Sequence, residues 1–131
     1  MAELDEAQSV AFVQSTIQAA YQRGNMVIVG RGGQAILKGK PDVLHVRIEA
    51  PLDVRNHRVH EQEKVSLAAA QDIVIKHDRV AADYLKRFHD VDWADSRLYD
   101  LVINTDKLGV EGTVSLIAQA VGYLQPATVA S

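Results

Sequence analysis

The sequence predicts an α/β fold: a short, mainly parallel sheet of about three strands flanked by helices. Three observations predict it. Short apolar runs rich in β-branched residues recur at residues 26–29, 43–50 and 101–105. Stretches with apolar residues at helical spacing lie before, between and after them. The segments joining the runs are long enough for the crossovers that parallel strands require.

Taken in order, residues 6–23 set Val10, Val13, Ile17, Ala20 and Tyr21 down one side of a helix, and Gly24 ends it as a left-handed cap. Met26-Val27-Ile28-Val29 reads as a strand buried on both faces, which breaks into the glycine-rich turn Gly30-Arg31-Gly32-Gly33. Residues 34–37 make a short helix, stopped by Lys38-Gly39-Lys40-Pro41. Val43 to Ala50 alternate enough Val, Leu and Ile with polar residues to form a strand. Pro51 then suits the first turn of a helix over residues 52–63, where its missing N–H costs nothing. Arg55 and Arg58 fall three apart on one face of that helix.

Ser66 is an N-cap for a long helix reaching about residue 89. Ala69, Ile73, His77, Val80, Tyr84, Leu85 and Phe88 mark its packed side. A loop over residues 90–97 holds Trp93, the third strand follows, and Val110, Val114, Ile117, Ala118 and Val121 outline a final amphipathic helix. Residues 1–124 therefore read as one domain and residues 125–131 as a tail.

Composition narrows the function classes. The chain is 131 residues long, 47% hydrophobic and 24% charged, as expected of an ordered globular domain. A net charge of -3 and the absence of a long basic run argue against a dedicated nucleic-acid surface. There is no cysteine, which excludes disulfides and thiolate metal sites. No apolar run approaches the roughly 20 residues that span a bilayer, and the acidic start is not a signal peptide, so a soluble, cytoplasmic protein is expected. His57, His60 and Glu61 sit close in sequence, but they lack the spacing of a HExxH metal site and have no visible third ligand cluster, which leaves a solvated helix face.

The turn at residues 30–33 allows two readings. At the carboxyl end of a parallel strand, outward-facing N–H groups and the fork of Arg31 would hold a phosphate or carboxylate. Alternatively the glycines only let the chain turn, with Arg31 in solvent.

A wider combination of residues resembles the cytidylate kinase-like family of P-loop nucleoside monophosphate kinases. It comprises Val27-Ile28-Val29-Gly30-Arg31-Gly32-Gly33, then Val46-Arg47-Ile48-Glu49-Ala50-Pro51-Leu52 with Arg55 and Arg58, Lys76-His77-Asp78-Arg79 with Tyr84 and Phe88, Trp93, and Tyr99-Asp100-Leu101-Val102-Ile103-Asn104-Thr105. The resemblance covers about residues 9–121. It departs in one respect: the strand, GxxxxGK[ST] loop and helix that open such kinases have no counterpart here. The chain looks like the last two-thirds of a three-layer P-loop-kinase-like fold, truncated before its phosphate loop.

The resemblance carries specific expectations. Arg31, with Gly30 and Gly32, would hold the phosphate of the acceptor nucleotide. Gly32 stands where relatives acting on cytidylate often carry an aspartate, which puts cytidylate specificity in question. Arg55 and Arg58 would add charge on the substrate side, or else form a solvated face near Glu61 and Glu63. Arg79 and Arg87 resemble catalytic lid arginines, with Asp78 orienting Arg79, while Trp93 and Tyr99 read as packing anchors. Full-length members use MgATP as co-substrate; for this chain alone no cofactor and no useful kinase activity are expected. In the family the absent strand lies between those at residues 26–29 and 43–50. These two must then pair directly, or another chain must fill the gap, giving a homodimer or a complex with a missing N-terminal segment. A non-catalytic binding or oligomerisation module that keeps only the fold is the alternative function.

Overall fold

The computed structural model describes residues 6–126. Its elements in chain order are α1 (Glu6–Arg23), α2 (Gly33–Ile36), β1 (Val46–Glu49), α3 (Leu52–Glu63), α4 (Leu67–His89), a 3₁₀ turn (Ser96–Leu98), β2 (Leu101–Asn104) and α5 (Thr105–Val121).

Local chemistry fixes most of these boundaries. Gly24 adopts φ 73° and donates its N–H to the Ala20 carbonyl, so α1 ends on a left-handed glycine as expected. Pro51 caps α3, its carbonyl accepting from the Arg55 N–H at 3.0 Å. Ser66 Oγ accepts from the Ala69 N–H at 3.1 Å and starts α4. At the far end Asp90 turns left-handed, and its N–H and that of Val91 close on the Lys86 and Leu85 carbonyls.

β1 and β2 pair in parallel, Val46 opposite Leu101 through Glu49 opposite Asn104. Their entry is locked at one point: the His45 N–H donates to Asp100 Oδ2 at 2.8 Å, and the Asp100 N–H donates to the His45 carbonyl at 2.7 Å. Helices α3 and α4 pack on each other, and α5 contacts both strands.

The architecture is α/β with a parallel sheet, but the sheet has two strands among the described residues rather than three. Residues 26–29 form no ladder, and no described residue hydrogen-bonds to their backbone. Val27 is 92% exposed and Val29 87%. The expected doubly buried strand is therefore a bare apolar segment, and it does not close up on β1. A strand needs a hydrogen-bonding neighbour as well as β-branched residues, and here the neighbour is missing.

Two helix faces also differ from expectation. Of the side expected to pack in α4, Leu85 is buried and Ala69, Ile73, Tyr84 and Phe88 are half-buried, but His77 and Val80 are exposed, and the most deeply inward line runs one residue on, through Ala70 and Val74. Asp78 falls on that inward line, four residues beyond Val74, and so faces α3. In α5, Gly109 breaks the helix with φ 68° and ψ 177°; beyond it Val110, Val114 and Val121 are exposed rather than packed. Ile17, Leu37, Leu98 and Ile103 complete the small core. No helix among the described residues is long and apolar enough to cross a membrane.

Candidate functional site

In a parallel sheet the carboxyl ends of the strands face the crevice where ligands bind. Here those ends are Glu49-Ala50 and Asn104-Thr105, and the side chains around them are held by hydrogen bonds. Asn104 Oδ1 accepts from the Asp106 N–H at 2.9 Å and caps α5. The Thr105 hydroxyl donates to the Glu49 carbonyl at 3.1 Å and accepts from Arg58 Nη1 at 3.0 Å, linking both strand ends to α3. Arg55 Nε donates to the Ala50 carbonyl at 3.0 Å, while its Nη1 reaches both Asp78 oxygens at 3.0 and 2.8 Å.

Asp78 thus orients Arg55, not Arg79 as the sequence suggested, because it lies on the α4 line that faces α3. Arg79, one residue on, is exposed and has no partner among the described residues. Arg87 is engaged elsewhere: its Nη2 pairs with Glu6 of α1 at 2.5 Å, and its guanidinium lies 5.1 Å from the Phe88 ring centroid.

A second cluster surrounds the glycine-rich turn. Gly30, Arg31 and Gly32 all have positive φ, at 74°, 59° and 78°. Three left-handed residues in succession turn the chain sharply into α2, and Arg31 occupies a conformation that non-glycine residues rarely adopt. Its side chain is exposed and unpartnered among the described residues. Gly32 is needed for space as well: a Cβ there would stand 2.5 Å from His89 Nε2. That nitrogen is buried with no hydrogen-bond partner among the described residues, and burial lowers the imidazole pKa. Beside the turn, an open groove of about 710 Å³ is lined by Gln14, Ser15 and Gln18 of α1, Ala35 of α2, and His89.

The residues expected to form one site therefore fall into two groups. Gly32 rests on His89, whereas Arg55 is fixed to Asp78, and the eleven-residue step along α4 from Asp78 to His89 amounts to about 16 Å of helix. Gly30, Arg31 and Gly32 belong to the turn that meets the groove through His89. Arg55, Arg58 and Asp78 serve the strand ends.

Sequence reasoning missed the role of Arg47. Its guanidinium stacks 5.0 Å from the Trp93 ring centroid and 5.8 Å from that of Tyr99, its Nη1 donates to the Trp93 carbonyl, and its Nε pairs with Glu49 at 2.8 Å. Trp93 and Tyr99 anchor the loop after α4 by this stack and by a bond from the Tyr99 hydroxyl to the Trp93 carbonyl. An arginine alternating with Val and Ile in a strand, with a lone tryptophan later, was the available signal.

The donor set does not fit magnesium triphosphate. The turn at residues 30–33 offers one guanidinium and no lysine, hydroxyl or carboxylate. Among the described residues no group of three His, Asp or Glu side chains converges on a metal-sized point. His57 and His60 instead donate to the Asp53 and Val65 carbonyls.

Comparison with known proteins agrees with this framework. Residues 2–107 match the Cytidylate kinase-like family. The chain is 33% identical over 107 residues to a cytidylate kinase from Methanocaldococcus jannaschii, covering 79% of this chain and 60% of that protein. It is 29% identical over 129 residues to a cytidylate kinase from Methanocella arvoryzae, covering 97% of this chain and 71% of that one. A crystal structure of an uncharacterized protein from Eubacterium ventriosum superposes with a TM-score of 0.76 at 27% identity, over 88% of this chain and 64% of the other. The chain thus spans about 60% of the first of these relatives. By sequence, it belongs to the cytidylate kinase-like family.

Proposed function

We propose that this chain binds a nucleoside monophosphate, with the phosphate on Arg31 and the left-handed turn at residues 30–32 and the nucleoside in the adjoining groove. One observation carries the reading: a guanidinium unpartnered among the described residues, held on a strained turn between two glycines, where Gly32 packs on the His89 that lines the open groove. A planar fork suits a phosphate dianion, and the Gln14 and Gln18 amides offer donors and acceptors to a base. Arg58 belongs to the other group, where the Arg55–Asp78 pair holds α3 against α4 and Arg58 bonds Thr105 at the strand ends. Arg87 joins a phosphate only by leaving Glu6.

Phosphoryl transfer is a separate matter. It depends on positioning and neutralising a donor triphosphate, and residues 30–33 lack the means to do either. On this reading the chain alone is a nucleotide-binding part of a kinase, and MgATP becomes its co-substrate only when a phosphate-binding loop is supplied. Calorimetry with CMP, dCMP, UMP and inorganic phosphate tests the first half. Binding of a monophosphate that falls at least about tenfold with Arg31→Ala supports it; no binding, or binding indifferent to Arg31, refutes it. A coupled assay showing robust ATP-dependent phosphorylation of CMP by this chain alone would refute the second half. The exposed valines at residues 27 and 29 favour a second reading, a module that keeps the fold for association alone.

A further inference from the structure

We infer that His89 is the specificity-determining residue of the groove: held beneath Gly32, it offers a fixed Nδ1–H donor to an uncharged acceptor atom on the nucleoside part of the ligand. The inference deepens the nucleotide reading and rests on it. His89 is the residue at which turn and groove meet. A Cβ on Gly32 would lie 2.5 Å from His89 Nε2 and 2.8 Å from its Cδ2, so the turn rests on that edge of the ring. The Tyr84 ring lies 5.8 Å away and is tilted by 55°. The same imidazole lines the open groove, with Gln14, Ser15 and Gln18 of α1 and Ala35 of α2.

The two ring nitrogens stand in different surroundings. Nε2 is buried with no hydrogen-bond partner among the described residues. Nδ1 has no bond to a described residue either, yet it is not buried. A neutral imidazole carries one proton, on one nitrogen or the other. On Nε2 that proton would be a buried donor without an acceptor, in a space closed by Gly32; on Nδ1 it is hydrated in the free chain and available to a ligand. Burial thus assigns the Nδ1–H tautomer, and it also disfavours the cation that carries both protons.

The rest of the groove shows why this one donor matters. With His89 neutral, none of its lining side chains carries a charge, so the groove suits the uncharged part of a ligand whose phosphate lies on Arg31. Gln14, Ser15 and Gln18 are exposed on one face of α1; they rotate, and each both donates and accepts, so they adapt to many partners. His89 does not rotate freely, because its Nε2 edge is covered by the turn. A fixed donor discriminates where an adaptable amide does not: a ligand without an acceptor at that point leaves it unpaired.

Two substitutions separate the edges of the ring. The asparagine amide reaches the position of Nδ1 and the glutamine amide that of Nε2, so His89→Asn keeps a donor on the open side, whereas His89→Gln keeps only the support beneath Gly32. Calorimetry of the whole chain with CMP, ribose 5-phosphate and inorganic phosphate reads the result. His89→Gln should weaken CMP about three- to tenfold with inorganic phosphate unchanged, and His89→Asn should bring CMP back to within about twofold of the original chain. A ring that merely supports the turn predicts the opposite order. A His89→Gln loss confined to CMP puts the donor on the base, and an equal loss with ribose 5-phosphate puts it on the sugar; either supports the inference. Inorganic phosphate weakening in parallel in His89→Gln, asparagine faring worse than glutamine, or CMP indifferent to both changes would overturn it. Imidazole nitrogen NMR of the unsubstituted chain at about pH 8 adds a readout that needs no variant to fold: the Nδ1–H tautomer is expected, and an Nε2–H tautomer overturns the inference. CMP binding that needs Arg31 but ignores His89 removes this inference alone, whereas no CMP binding to the unsubstituted chain removes the nucleotide reading and this inference with it.

Discussion

Residues 46–50 and residues 26–31 begin from the same kind of sequence, a short β-branched run that ends in a turn near an arginine, and reach opposite structural states. β1 is paired with β2, its terminal carbonyls at Glu49 and Ala50 accept from Thr105 and Arg55, and its arginine is stacked between two aromatic rings. Residues 26–29 have no pairing, and Arg31 has no partner among the described residues. Intrinsic strand preference is thus worth little without a neighbour. The first region is satisfied by this chain, whereas the second presents its bonding capacity outward.

The sharpest way to break that comparison is to truncate one apolar side chain in each region. Leu85→Ala, at a site 5% exposed, should lower unfolding free energy by about 2–4 kcal/mol. Val29→Ala should change it by no more than about 0.5 kcal/mol. Urea unfolding followed by Trp93 fluorescence reads both, and equal losses would show that residues 26–29 are packed after all.

Glycine substitutions locate where the satisfied region stops. Gly30 and Gly32 share a left-handed φ, so alanine at either costs about 1–2 kcal/mol. Only at Gly32 would the new methyl collide with His89, so Gly32→Ala should cost at least about 1 kcal/mol more than Gly30→Ala. Indistinguishable midpoints in thermal melts would mean that the turn is not anchored on α4. A smaller effect is expected at the other end of that helix. Asp78→Ala should cost about 1–2 kcal/mol, with an Arg55/Asp78 coupling of about 0.5–1.5 kcal/mol in a double-mutant cycle. The pair is one-third exposed, so solvent screening keeps the figure modest.

Most of the fold was legible because its signals are local. The Gly24 cap, Pro51, Ser66 and the spacing in residues 6–23 depend on a few neighbouring residues, and each element they mark is present. The failures required knowledge of packing partners. Residues 26–29 carry a strand pattern without a strand to pair with. That Ala70 and Val74 of α4 are buried deeper than the expected Ala69 and Ile73, with Asp78 on the same line meeting Arg55 of α3, could not be read without knowing which helix packs there. For the candidate site, the glycine–arginine turn could be read from residue type alone. That Asp78 holds Arg55, that Arg58 reaches Thr105 at the strand end, and that His89 lies beneath Gly32 depends on contacts between residues 23 to 57 positions apart, which no local pattern encodes.

His89 provides the finest test of the boundary between the two regions, through pH. Burial holds its imidazole below the ordinary value of 6.5, and its buried Nε2, if protonated, would find no acceptor for the N–H among the described residues. As pH falls, the unfolded chain therefore takes up this proton before the folded chain does. Stability from this group is complete above about pH 6.5 and is lost as pH drops through the lower folded-state value. Thermal midpoints should fall between about pH 7.5 and pH 5, before most carboxylates titrate. In His89→Gln, which retains bulk against Gly32 without the titration, the slope over that range should flatten. An unchanged slope would mean that the ring is hydrated in solution, and that the anchored region ends before Gly32 rather than at it.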